Sequence, residues 1–143
     1  MRQVLTGSAC HNVDAKNRVF IPAKFREVLG DTFMVACSVR DRCLKLYSME
    51  EWDAYIEPIT HLPREISEPT IRLLHATASQ VTPDAQGRIL LTPALMEHAK
   101  ITKQAKFVGC NNYAEVWDEQ EYQLKIASFD MEAARRALEG YGL

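Results

Sequence analysis

Glycine is scarce, six in 143 residues. Asp84 to Arg88 is too short to be a loop that cradles phosphate. No apolar run approaches the length that crosses a bilayer, and Met1 to Gly7 lacks the apolar segment of a secretory leader. The four cysteines, Cys10, Cys37, Cys43 and Cys110, include no close pair with metal-ligand spacing. Free thiols in a reducing cytoplasm are the expected state. His11, His61, His75 and His98 also lack the spacing of a metal site, so neither metal nor cofactor is expected. Cys10 beside His11 is the one suggestive catalytic pair, but neighbouring strand residues face opposite sides. No catalysis and no small-molecule substrate are therefore expected. A strong net charge is missing too: −2 at neutral pH argues against a uniformly basic nucleic-acid protein, so the placement of charge matters more than its sum.

What the chain does have is a repeat. Asp14-Ala15-Lys16-Asn17-Arg18-Val19-Phe20-Ile21-Pro22 returns as Asp84-Ala85-Gln86-Gly87-Arg88-Ile89-Leu90-Leu91-Thr92, with Pro93 one place later and Glu27 matched by Glu97. Such self-similarity is sought first because it decides the architecture. With 47% apolar residues the chain can bury a core. Two half-size units must pack together or borrow core from another subunit.

Each copy reads as strand, loop, strand, helix, strand, strand, helix. In the first, His11 to Val13 is a strand and Asp14 to Asn17 a turn. Asp accepts a backbone hydrogen bond two residues on, and Asn17, replaced by Gly87 in the second copy, suits a left-handed conformation. Arg18 to Ile21 leaves as a strand. Pro22 fits the first helical position, and a short helix runs to Leu29 with Gly30 as its stop. Strands Phe33 to Ser38 and Cys43 to Tyr47 follow. Ser48 with Glu51 forms a capping box for a helix from Met49 to about Glu57, closed by Pro58. The second copy gives strands over 76–81, 88–91, 106–110 and 114–117, a helix from Pro93 to Lys100 capped by Thr92, and a capping box at Asp118 and Glu121. Tyr122 stands where Trp52 stood. Helices over 67–75 and 130–139 have no counterpart in the other copy. The expected division is 8–55, first repeat; 56–77, helical linker; 78–122, second repeat; 123–143, C-terminal helical tail.

Charge is uneven. From Asp14 to Arg26 there are four cations, Lys16, Arg18, Lys24 and Arg26, against one acid, Asp14. Acids gather in Glu50-Glu51-Trp52-Asp53 and Asp118-Glu119-Gln120-Glu121. On residue chemistry alone two readings of Arg18 stand. It forms a local ion pair with Asp14 that closes the turn, or it enters a DNA groove while Lys16 neutralises phosphate. Lys24 and Arg26 are secondary candidates, since such cations often mark the solvated side of a short helix. Trp52, Trp117 and Tyr122 are expected in the core or an interface.

With Asp-x-x-x-Arg, the Ile-Pro-Ala-Lys-Phe-Arg-Glu helix start and the second Asp-x-Gln-Gly-Arg-Ile-Leu-Leu copy, the chain resembles the MraZ family over nearly its whole length. The resemblance implies a mixed α+β chain of two tandem AbrB-like swapped-hairpin β-barrel repeats with short flanking helices and an internal pseudo-two-fold. It also implies a sequence-specific DNA-binding transcriptional regulator, a repressor of the division and cell-wall operon. Such a protein is cytoplasmic and nucleoid-associated, and binds direct repeats in promoter double-stranded DNA with loops presented on a ring-shaped homo-oligomer. The family's DNA-contacting loop maps onto Asp14, Lys16 and Arg18, and onto Asp84 and Arg88. Asn17 replaces the usual glycine of the first loop, and Gln86 replaces the cation of the second. A ring makes physical sense, because one short basic loop holds DNA weakly at physiological salt and several in a row make later contacts intramolecular. A ring-forming protein-interaction module is the alternative. An AbrB-type antitoxin is a further one, against which stands the absence of a disordered toxin-binding tail.

Overall fold

The computed structural model describes residues 3–143; Met1 and Arg2, part of the stretch read for a leader, lie outside the described residues. The first copy contains β1 (Ser8–Asn12), β2 (Arg18–Phe20), α1 (Ala23–Leu29), β3 (Phe33–Cys37), β4 (Leu44–Ser48), α2 (Met49–Thr60) and α3 (Arg64–Thr77). The second repeats that order as β5 (Ser79–Val81), β6 (Arg88–Leu90), α4 (Pro93–Ala99), β7 (Gln104–Gly109), β8 (Ala114–Asp118), α5 (Glu119–Ala127) and α6 (Met131–Gly140).

The strands do not stay with their own copy. A six-stranded antiparallel sheet runs β1-β7-β8-β4-β3-β5, and a separate ribbon pairs β2 with β6. Exchanging the copies reverses that order onto itself, so a pseudo-two-fold passes between β8 and β4. Strand β1 pairs with β7 of the second copy, and β5 with β3 of the first. Each copy thus lends its opening hairpin to the other, which is the tandem swapped-hairpin architecture of AbrB-like domains. Because β7 offers a partner to every residue from Ser8 to Asn12, β1 begins earlier than the sequence pattern indicates.

Equivalent positions meet in one core. Val19, Ile21, Phe25 and Leu46 pack in the same cluster as Ile89, Leu91, Leu95 and Val116. Volume is traded between the copies: Leu29, Phe33 and Leu44 of the first have Ala99, Ala105 and Ala114 as their equivalents in the second. The balance is restored by Phe107, which the strand register makes the equivalent of Val35 and which is fully buried edge-on to Phe25 with ring centroids 6.5 Å apart. On the other side of the sheet Met34, Ala36, Tyr47 and Trp52 lie with Leu74 beneath α2 and α3. In the second copy Tyr122 meets Trp117 edge-on at 5.8 Å.

The caps expected from sequence are made: Ser48, Thr92, Asp118 and Asp130 each accept the N–H three residues on. Helix ends differ more. Helix α2 passes Pro58 to Thr60, and α3 starts at Arg64, runs through Pro69 and takes in Ala76 and Thr77, which the pattern gives to a strand. Both prolines and the residues four before them, Ala54 and Glu65, are exposed, so water can satisfy the carbonyls that lose a helical donor. Helix α1 starts one residue late, with Pro22 as its extended N-cap. Helices α3 and α6 also hold matching places in the element order, contrary to the expectation that neither has a counterpart. Their sequences diverge because their surroundings do. Helix α3 buries Leu74 and Ser67, whereas α5 and α6 bury no side chain fully and leave Leu124, Ile126, Met131 and Leu138 exposed, with Phe129 exposed in the link between them.

Phe107→Ala should cost about 3–5 kcal/mol of stability. Cys37→Ala, at the half-buried end of β3, should cost about 1 kcal/mol or less. Urea unfolding followed by tryptophan fluorescence checks the difference.

Candidate nucleic-acid interface

Two loops, 14–17 and 84–87, are built alike. In the first, Asp14 Oδ1 accepts the N–H groups of Lys16 and Arg18, both at 2.9 Å, and Oδ2 accepts Arg18 Nε at 2.9 Å. In the second, Asp84 Oδ1 accepts Gln86 N and Arg88 N at 2.9 Å, and Oδ2 accepts Arg88 Nε at 3.0 Å. Asn17 and Gly87 take φ of 61° and 82°, the left-handed geometry expected of the turn. Their carbonyls then cross to the other hairpin: Leu91 N donates to Asn17 O at 2.8 Å and Ile21 N to Gly87 O at 2.9 Å. The two loops are one clasped unit.

Strand alternation sorts the ribbon into two faces. Val19 and Ile89 point into the core. Arg18, Phe20, Arg88 and Leu90 form the other face, with Arg18 opposite Leu90 and Phe20 opposite Arg88. Asp14 Oδ2 also lies 3.8 Å from Arg88 Nη1, so one carboxylate oxygen gathers both guanidinium groups. The ion-pair reading of Arg18 is therefore realised, yet it consumes only Nε. The two terminal nitrogens make no hydrogen bond to a described residue, and the side chain keeps 32% of its surface exposed. Lys16 is exposed at the loop. The arrangement offers a fixed fork of N–H donors beside a point charge, which suits anionic oxygens and purine edges.

The remaining candidates separate. Arg26 reaches the second loop, with its guanidinium 5.3 Å from the centroid of the Phe20 ring. It packs so closely on Gly87 that a Cβ there would stand 3.0 Å from Arg26 Cζ. Its Nε is buried without a partner among the described residues. Arg26 thus braces the second loop. Lys24 instead folds against Gly7 ahead of β1 and is not gathered with Arg18 and Arg88. Phe20 and Leu90 were not singled out by charge or motif, although the alternation Arg-x-apolar after each turn marks both as outward. Cys10 and His11 diverge as expected: the thiol donates to Glu119 Oε2 at 3.1 Å, and the imidazole lies edge-on to Phe20. Burial and Glu119 push that thiol up, away from thiolate.

The carboxyl groups of Asp14 and Asp84 are held below the ordinary range. The main cause is the backbone N–H of Arg18 or Arg88; the N–H two residues after each aspartate and the paired guanidinium add to it, against partial desolvation. A lowered value in the folded state means the charged loop is stabilised at and above the usual aspartate pKa. That stabilisation is lost as pH falls through the lowered value.

A swapped pair of hairpins whose Asp-x-x-x-Arg turns clasp each other defines a tandem AbrB-like β-barrel protein. The chain matches the MraZ protein family, whose description adds the words antitoxin-like, over residues 4–71 and again over 74–139. It belongs to that family. Among relatives, it is 38% identical over 130 residues, 90% of each chain, to the transcriptional regulator MraZ of Caldanaerobacter subterraneus subsp. tengcongensis. It is 40% identical over 116 residues, 80% of each chain, to that of Carboxydothermus hydrogenoformans. It is 33% identical over 140 residues, 96% of this chain and 98% of the other, to that of Clostridium tetani.

Two outcomes are expected. Gly87→Ala, strained by both φ and Arg26, should lose about 1–3 kcal/mol, and Asn17→Ala about 1 kcal/mol; thermal unfolding measures both. In carboxyl NMR titrations Asp14 and Asp84 should show midpoints below an ordinary aspartate. The Lys16, Arg18, Gln86 and Arg88 amides should gain solvent exchange only as pH falls past those midpoints.

Proposed function

We propose that the chain is a sequence-specific DNA-binding transcriptional regulator whose contact surface is the outer face of the β2–β6 ribbon. Arg18 carries the principal contact and Lys16 neutralises phosphate. Arg88 shares the surface as a second fork, while Asp14 and Asp84 orient the forks, and Asn17 and Gly87 shape the turns. Arg26 acts from behind the second loop, and Lys24 stays peripheral. The observation that carries this reading is the fixing of Arg18 by Asp14 through Nε alone, which leaves the guanidinium edge free for bidentate recognition. The relatives' shared name supports regulation of transcription.

The finer reading is a cytoplasmic, nucleoid-associated ring that represses the division and cell-wall operon by binding direct repeats in its promoter. Its support is energetic. A face of two arginines and a lysine makes few phosphate contacts, each eroded by salt. Repetition around an assembly raises the effective concentration of the later contacts. Exposed Ile66 and Leu73 on α3, with the apolar residues left open on α5 and α6, offer surface for such subunit contacts. Those same residues favour the alternative of a protein-interaction module, and the family description keeps the antitoxin reading alongside it. Ionic strength separates the readings, since DNA binding weakens steeply with salt and apolar association does not.

Arg18→Ala should abolish retardation of the DNA upstream of the chain's own coding sequence, because about 1–3 kcal/mol per contact is lost in every subunit. Light scattering should report the assembly mass of the unaltered protein. Retained DNA binding by the variant would remove Arg18 from its role.

A further inference from the structure

Leu90 is the anomaly of the ribbon face. Its equivalent, Phe20, is sheltered by Arg26 at 5.3 Å from its ring centroid and by His11 at 5.3 Å. The second copy has Met96 and Val81 at the places of Arg26 and His11, and both pack against the core. Leu90 is left 55% exposed. A lone exposed leucine needs no explanation, but the position of this one is constrained. It stands directly opposite Arg18. Together with Arg88 the two residues line a groove of about 410 Å³, walled on the other side by Ser79, Gln80 and Thr82.

We propose that Leu90 is a specificity-determining residue that reads the 5-methyl group of a thymine in the major groove, next to the base pair engaged by Arg18. This rests on the DNA-binding reading above and deepens it. A two-stranded ribbon fits the major groove, where thymine alone among the four bases presents a methyl group and apolar side chains recognise it. Directly opposed residues of an antiparallel pair stand about 5 Å apart, while successive bases rise about 3.4 Å along a strand. Side chains in that register reach adjacent steps. Arg18 cannot swing away from the step it holds, because Asp14 fixes its Nε, so the base offered to Leu90 is fixed in turn. The two cations of the groove draw in the duplex, and the apolar side chain beside them adds a preference that charge alone does not carry.

The test uses the full chain and a duplex selected by the unaltered protein from a random pool, prepared once with thymine and once with uracil at each thymine position in turn. Uracil keeps the pairing and deletes only the methyl group. The unaltered protein should bind about three- to five-fold more weakly at one uracil position per bound repeat, the worth of one buried methyl. Leu90→Ala should bind the thymine duplex weakly by a similar factor and show no further loss with uracil. Equal loss on uracil substitution in both proteins, or no loss in either, overturns the assignment. A changed assembly mass of Leu90→Ala in light scattering makes Leu90 a subunit contact and also overturns it. If selection yields no duplex at all, the DNA-binding reading fails with it, an outcome distinct from the others.

Discussion

Two backbone hydrogen bonds exchanged between turns hold the ribbon end of this molecule together. Leu91 takes the carbonyl of Asn17, and Ile21 that of Gly87. Positive φ at both turn residues rotates those carbonyls out of their own hairpins and into the other. From that crossing comes the β2–β6 ribbon, with Val19 and Ile89 sunk in the core and the alternate residues turned outward. The ribbon brings Arg18 and Arg88 close enough for the Asp14 carboxylate to serve both. Without the clasp, each arginine would be an ordinary partner of its own aspartate.

The duplicated backbone has let the copies diverge on their outward positions while the inward ones stay complementary. Inside, a loss of volume on one side is met by a gain on the other, as Ala99, Ala105 and Ala114 are met by Phe107. Close packing enforces this, since neither voids nor overlaps are tolerated. Outside, no such constraint acts. Lys16 corresponds to Gln86, and Phe20 to Leu90. The two halves of the ribbon therefore present different chemistry on one rigid frame, and a symmetric scaffold offers an asymmetric surface.

Much of this could be read from the chain itself. The return of Asp14 as Asp84 and Arg18 as Arg88 placed both turns, and the exchange of Asn17 for Gly87 marked their left-handed residues. Ser48, Thr92, Asp118 and Asp130 announced the helix starts they cap. The exchange of hairpins was implied by the family resemblance. The residue pattern alone cannot separate pairing of β1 with β3 from pairing with β7, because equivalent strands carry equivalent patterns. The reach of Arg88 to Asp14 was hidden for the same reason, since local spacing pairs each arginine with its nearest aspartate. Pro58 misled as a helix end because the cost of a proline depends on whether water reaches the freed carbonyl. The openness of Leu90 depends on what Met96 and Val81 do elsewhere, which no short window reveals.

The pairing of β1 with β7 has a consequence for synthesis. Ser8 leaves the ribosome long before Val108, its partner in the sheet. Translation therefore delivers a first half whose opening hairpin has nowhere to dock until most of the chain has emerged. Neither half is a self-sufficient folding unit, and contacts of such long reach form slowly. During that interval an open strand edge faces solvent, where the matching edge of another unfinished chain is as good a template as its own. Fidelity then depends on the tether between the halves, which keeps the correct partner at high local concentration.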